Sequence, residues 1–318
     1  MGKCELPGCF PNLQCKEGNI DFKKDCSHWV ESSEDKPVEQ VFLGEEGSHL
    51  LTWTGNSLGL DDLDILKERS SPKLFGSVGE ANSGKTTFLG LLYLLLNSGS
   101  RIDSWMFANS YSVLGWEYLA NYLRYTDAQK FSFPPRTSTK YGRGVGMLHL
   151  GLKSESNLVD FVLTDVPGEW FSNWANSVDD PNAGDAPWID ENSDGFLFFI
   201  DCDELASNRQ LYRHTTIKLL RRVQNNLKNR PVAVLWSKSD LLSNVNNNDI
   251  AKIQRELQKF VNCEEFYISI NPGKGNQFHR NIIRSIKWLI EQSNPSRQST
   301  SIEFQKIEND DYFLSYRG

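Results

Sequence analysis

No run of 18 consecutive apolar residues occurs in this 318-residue chain, so no membrane-spanning helix is expected. The longest apolar candidate, Phe88 to Leu96, is far too short. The first 15 residues carry Lys3, Glu5, two prolines and three cysteines, and no apolar signal core. A cytoplasmic protein is therefore expected. There is no excess of positive charge. Lys and Arg number 34 against 41 Asp and Glu, a net charge of −7, which argues against a general nucleic-acid or anionic-membrane binder. Internal repeats and extended low-complexity tracts are also lacking. The hydrophobic fraction of 39% still supports a core, and the length suits one large domain or two ordinary ones.

Cysteines are few, and four of the six (Cys4, Cys9, Cys15, Cys26) fall in the first 26 residues, with His28 close behind. Cys202 and Cys263 stand alone in apolar or strand-like surroundings. Without a secretion signal, a local Cys/His cluster reads as metal-binding before disulfide. Tetrahedral Zn²⁺ needs four thiolate or imidazole ligands, and Cys4, Cys9, Cys15, Cys26 and His28 offer five. None forms a tight C-x₂-C pair, so free thiols and disulfides stay open beside zinc. A module this small is a docking element, not a catalyst.

The pattern divides the chain into a polar, Cys-rich leader (1–40), a connecting segment in which a hairpin is expected (41–72, ending in an ERSSP linker), an α/β region (73–293) and a tail (294–318). In the α/β region, strands are expected at 74–78, 144–153, 158–166, 195–201, 232–236 and 265–270. The second and third of these pair antiparallel. Helices are expected at 86–96, 110–125, 205–229, 250–261 and 278–292. Buried strands alternating with helices imply an α/β fold with a mostly parallel sheet.

Four segments carry chemistry. Gly79-Glu80-Ala81-Asn82-Ser83-Gly84-Lys85-Thr86 matches G-x-x-x-x-G-K-[ST], between an apolar strand and an apolar helix. Glycines let the backbone N–H groups wrap a phosphate, and the helix adds its positive dipole end. Lys85 is expected at the β- and γ-phosphates and Thr86 on Mg²⁺, with Thr87 completing the phosphate-binding run. Asp165-Val166-Pro167-Gly168 closes a strand, which places Asp165 to hold Mg²⁺ and the Gly168 N–H to meet a γ-phosphate. Ser237-Lys238-Ser239-Asp240 follows another strand. A carboxylate at Asp240 can accept from both guanine N1–H and N2–H₂, while the Lys238 stem covers the base. Ser269, at the end of the 265–270 strand, is a candidate for guanine O6 through its backbone.

In this order and each after a strand, GEANSGKT, DVPG, SKSD and Ser269 resemble the Ras-like, translation-factor-related class of P-loop GTPases over about 73–293. The Cys-rich leader and the DVPG spelling are also similar to the bacterial double-GTPase proteins of conflict and signalling operons. The resemblance implies a Ras-like G domain with a six-stranded sheet containing one antiparallel strand, GTP or GDP with Mg²⁺ as ligands, and a nucleotide-dependent switch. It also implies a Mg²⁺-sensing threonine, for which Thr137 and Thr139 are the candidates. Three departures matter. Ser237 replaces the usual Asn or Thr of the base motif. Glu169 stands where Ras-like members carry a water-positioning Gln; it can orient water but repels a γ-phosphate, so slow hydrolysis or a helper is expected. The stretch Glu169 to Ser193 reads as a long acidic loop with Trp170, Trp174 and Trp188, either a partner surface or side chains packed on the domain.

Gly142-x-Gly144-x-Gly146 has no following helix and is no dinucleotide fingerprint. The basic stretch Arg213 to Arg230 reads as a solvated helix face. Three functions remain: a GTP-hydrolysing switch with Lys85, Thr86, Thr139, Asp165, Gly168 and Glu169 in the chemistry; a nucleotide-holding scaffold that barely hydrolyses; and a P-loop ATPase or nucleotide kinase, which the SKSD carboxylate disfavours. A protein effector or activator is expected at the switch loops and the leader.

Overall fold

The computed structural model describes residues 3–4, 28–30, 57–124, 132–134, 145–154 and 157–293. The chain forms two compact units, Met1–Leu50 and Leu51–Gly318. In the first, β1 (Lys3–Cys4) pairs antiparallel with β2 (Trp29–Val30), setting Cys4 opposite Trp29. His28, just before β2, is exposed. Cys9, Cys15 and Cys26 lie outside the described residues, as do Thr137 and Thr139.

In the second unit α1 spans Leu60–Arg69; residues 41–56 of the segment in which a hairpin is expected lie outside the described residues. Leu63 and Leu66 recur at helical spacing and are buried in the core, and the Gly59 N–H donates to Asp62 Oδ2 at 2.8 Å. There follow β3 (Lys73–Val78), α2 (Lys85–Asn97), β4 (Met106–Asn109), α3 (Val113–Leu123), β5 (Gly146–Ser154) and β6 (Asn157–Asp165). Then come α4 (Gly168–Asn176), α5 (Ala186–Asn192), β7 (Gly195–Asp201), α6 (Cys202–Ser207) and α7 (Arg209–Asn225). The described part ends with β8 (Val232–Ser237), α8 (Asn247–Leu257), β9 (Cys263–Tyr267) and α9 (Gln277–Ser293).

The sheet runs β4-β5-β6-β3-β7-β8-β9. β5 is antiparallel to both neighbours, and the other pairings are parallel. The reading of six strands with one reversed is thus corrected to seven. The extra strand, β4, shows no sequence alternation because all four of its residues are exposed at the sheet edge. β7 (GFLFFID) is buried throughout, which explains its continuous apolar run. Phe196, Phe198 and Ile200 face a core built with Phe171, Ile189 and Leu220 from α4, α5 and α7. Leu197 and Phe199 face the opposite core, with Leu89 of α2, Trp116 of α3 and Leu289 of α9. Each such side chain contributes about 1.5–3 kcal/mol of burial, so β7 is anchored on both faces of the sheet.

Three expectations change in detail. The helix expected over 205–229 is two helices, broken at Asn208 (φ −108°, ψ 31°), and α6 starts earlier because the Asp201 side chain accepts from the N–H groups of Asp203 and Glu204. The 265–270 strand ends at Tyr267, so Ser269 lies beyond it. The segment after DVPG is no loop: it folds as α4, a 3₁₀ turn at Pro181–Ala183, and α5. Its tryptophans pack inward. Trp174 is buried, under the Arg222 guanidinium at 5.9 Å; Trp170 lies against Gly184, and Trp188 packs half-buried on the core. On α7 the basic residues meet acids of α8: Arg213 pairs with Asp249, and Arg221 with Glu256 at 2.7 Å. Among the described residues no helix is long and apolar enough to cross a membrane.

Candidate functional site

The order of the sheet reverses around β3: chain connections run to β6 on one side and to β7, β8 and β9 on the other. Crevices at the carboxyl ends of strands form at such points. Here the crevice is a cavity of about 510 Å³. Its walls are Ala81 to Leu91 in part, Phe133 and Pro134, Val166 to Glu169, Ser237, Lys238, Asp240 and Leu241, Ile268 to Ile270, and Ile282. Segments spread over 200 residues of sequence therefore meet in one place.

The loop between β3 and α2 turns because Gly84 takes φ 89°, a left-handed conformation that glycine enters without a Cβ clash. Lys85 is 6% exposed, and its ammonium donates to the carbonyls of Gly79 and Glu80 at 2.9 and 2.8 Å. Burial pulls the Lys85 pKa down to about 8, against the carboxylates of Asp165, Glu169 and Glu80, which support its charge. Gly79 and Glu80, expected as phosphate-binding residues, form no part of the cavity wall; they act through the carbonyls that hold Lys85. The Glu80 carboxyl turns instead toward Thr216 of α7, at 3.5 Å from its hydroxyl. Burial raises its pKa to about 7, with the Thr216 hydroxyl and Lys85 opposing and Glu204 and Asp201 assisting.

At the end of β6, Asp165 Oδ1 accepts from the Thr86 hydroxyl at 2.9 Å, which joins the second motif to the first. Gly168 packs against the loop so closely that a Cβ there would overlap the Glu80 carbonyl and the Ala81 nitrogen. Glu169 follows as the acidic residue in the first turn of α4, on the cavity wall.

The third and fourth motifs meet through side chains. Ser269 Oγ donates to Asp240 Oδ1 at 2.6 Å, and Ser237 Oγ donates to the Ile200 carbonyl at 3.3 Å. Lys238 has φ 52°, and its ammonium lies 2.7 Å from Asp201 Oδ2 and 3.5 Å from Asp203 Oδ2. Burial works against that ammonium, but the two carboxylates outweigh it and leave its pKa raised.

The cavity brings together Ala81, Asn82, Ser83, Gly84, Lys85, Thr86, Thr87, Gly168, Glu169, Ser237, Lys238, Asp240 and Ser269, with Asp165 joined through Thr86. Sequence reasoning missed Phe133, Leu241, Ile270, Ile282 and the supporting Asp201. Phe133 carried one signal, an aromatic directly before the adjacent prolines Pro134 and Pro135.

A mostly parallel sheet, flanked by helices, with a G-x-x-x-x-G-K-T loop between its central strand and the next helix, defines a P-loop α/β domain. A family model described as Double-GTPase 2 matches residues 73–289, and the chain belongs to that family. No curated relative matches the sequence. Among solved structures, the chain is similar to one described as nucleolar GTP-binding protein 1 from Plasmodium falciparum, at 15% identity and a TM-score of 0.41 over 69% of this chain and 87% of that one.

Proposed function

We propose that this protein is a Mg²⁺-dependent GTP-binding protein and GTPase that acts as a nucleotide switch. The observation that carries this reading is the Asp240–Ser269 pair in the same cavity as Lys85, Thr86 and the Asp165–Gly168 turn. A carboxylate held by a hydroxyl suits the two donors of guanine, and the phosphate loop lines the same cavity. Family membership supports a GTPase.

The Thr86 hydroxyl and the Asp165 carboxylate are hard oxygen donors 2.9 Å apart, and they would hold Mg²⁺. Mg²⁺ held there would supply positive charge to bound phosphates. The chain's own groups do the rest. Lys85 and the N–H groups of residues 81–87 bind the phosphates, the Gly168 N–H contacts the γ-phosphate, and Glu169 orients the attacking water. Phe133 and the Lys238 stem flank the base. Thr137 or Thr139 senses the metal. Because Glu169 is an anion facing an anion, turnover is slow without a protein activator. The helices after DVPG and the Cys-rich leader are the surfaces for such a partner, and the net charge of −7 argues against direct nucleic-acid binding.

For the leader, we propose Zn²⁺ held by four of Cys4, Cys9, Cys15, Cys26 and His28. Pairing of β1 with β2 supports this, since it closes the segment that carries these residues. A bacterial signalling or defence operon is inferred from the sequence resemblance. The alternative is a nucleotide-holding scaffold with little hydrolysis, kept open by Glu169. The test is the nucleotide and metal that co-purify, followed by titration with GDP, GTP and their adenine counterparts. Guanine nucleotide with Mg²⁺ and zinc is expected; equal adenine and guanine affinity rejects the base assignment.

A further inference from the structure

The cavity wall at Lys238 depends on a residue that takes no part in it. Asp201 ends β7, directly opposite Ser237 in the parallel ladder, and is 0% exposed. Its position is locked three ways. Oδ1 accepts from the Asp203 and Glu204 N–H groups at 2.9 and 3.3 Å, as the N-cap of α6. Its backbone N–H donates to the Tyr212 hydroxyl at 2.7 Å. Oδ2 is the oxygen that remains. It faces the Lys238 ammonium at 2.7 Å as an ion pair.

Lys238 needs such an anchor. Its backbone is left-handed, a conformation that lysine seldom adopts, and its stem has four rotatable bonds whose freedom is lost on ordering. With the ammonium drawn to Asp201, and secondarily to the half-exposed Asp203, the methylenes lie along the cavity wall before any ligand arrives. The charge is paired with two carboxylates that do not line the cavity, Asp201 and Asp203.

We propose that Asp201 is a positioning residue of the base-binding loop, holding the Lys238 ammonium so that the lysine stem forms a ready-made platform for the purine ring. This rests on the guanine-nucleotide reading above. Asp201 touches no nucleotide and acts only through Lys238.

The experiment measures GDP and inorganic tripolyphosphate binding to the full chain by calorimetry, for the parent, Asp201→Asn, Lys238→Met and the double variant. Asn caps a helix about as well as Asp, so Asp201→Asn removes the ion pair and keeps α6 capped. GDP affinity is expected to fall about tenfold in Asp201→Asn, while tripolyphosphate affinity stays within about twofold, because the phosphate loop is untouched. In the Lys238→Met background, adding Asp201→Asn is expected to change GDP affinity less than about twofold. Unchanged GDP affinity in Asp201→Asn, equal loss for GDP and tripolyphosphate, or an undiminished loss in the Lys238→Met background would each overturn the role of Asp201. Should Asp201→Asn not fold, Lys238→Met by itself is expected to lose GDP affinity and keep tripolyphosphate affinity; no loss for GDP overturns the proposal. Equal binding of GDP and ADP by the parent removes the guanine reading itself, whereas a guanine-selective parent indifferent to Asp201→Asn removes Asp201 alone.

Discussion

Ser269 Oγ donates a hydrogen bond to Asp240 Oδ1 at 2.6 Å, linking two loops that lie 29 residues apart. The serine also accepts from the Asn271 N–H at 3.1 Å, so the loop after β9 and the Asp240 carboxylate are held as one piece. Sequence reasoning assigned Ser269 a backbone role toward the base. The side chain does something else: it orients Asp240. Ser269→Ala removes one hydrogen bond to a charged acceptor, worth about 1.5 kcal/mol, and is expected to weaken GDP binding about tenfold without admitting ADP. Asp240→Asn is expected to move preference from guanine toward xanthine nucleotides. Titration of both variants with GDP, ADP and XDP checks this.

Lys85 titrates within a working pH range. Its pKa of about 8, lowered mainly by burial, means the ammonium is lost as pH rises through 8, and phosphates favour the charged form. GDP affinity is expected to be flat below pH 8 and to fall by up to about tenfold per pH unit above it, with close to one proton taken up on binding at pH 9. Calorimetry in buffers of different ionisation enthalpy measures that proton. Affinity independent of pH from 7 to 9.5 contradicts the role given to Lys85, as does GDP binding that survives Lys85→Ala.

Gly168 has no room for a side chain. Gly168→Ala is expected to push the turn off the Glu80–Ala81 backbone, cutting GTP turnover at least tenfold and leaving GDP affinity within about threefold. Single-turnover hydrolysis beside GDP titration separates the two effects. Equal losses in both would place Gly168 in the fold and not in the switch.

Glu169 is expected to limit hydrolysis through charge. Glu169→Gln keeps the shape and removes the repulsion, and basal GTP turnover is expected to rise severalfold. Fast basal turnover in the parent, insensitive to Glu169→Ala, removes this role.

Glu80 offers a stability test with a definite sign. Its folded pKa of about 7 exceeds the ordinary 4.5, so the folded state holds more protons than the unfolded chain between those values, and its contribution to stability falls as pH rises through that window. Glu80→Gln escapes the loss. It is expected to be about 1 kcal/mol more stable than the parent at pH 8, after discounting for partial solvent screening, and no more stable at pH 4. Denaturant unfolding at the two pH values measures the difference.

Much of the site was legible because its geometry is local. A glycine-rich turn with Lys85 and Thr86 at its end needs only the neighbouring strand and helix, and β7 and β8 announce themselves as apolar runs because both faces are buried. The exposed edge strand β4 has no such pattern. The helix break at Asn208 follows from competition between side-chain caps and the helix ladder, a balance of small terms. The tryptophans after DVPG could not be assigned to solvent or core from spacing, since Trp174 is covered by Arg222 of α7, distant in the chain.

By itself, then, the sequence determined the α/β class, the order of four motifs and the chemistry each can perform, because those depend on residue type and near-neighbour backbone geometry. Only the tertiary structure decided which groups hold which. Parallel pairing of β7 with β8 sets Asp201 beside Ser237 and puts its carboxylate under the Lys238 ammonium. The chain's return after β9 hands Ser269 to Asp240, and the Thr86 hydroxyl meets the Asp165 carboxylate across the strand ends. These are contacts between side chains far apart in sequence, and no local spacing encodes them.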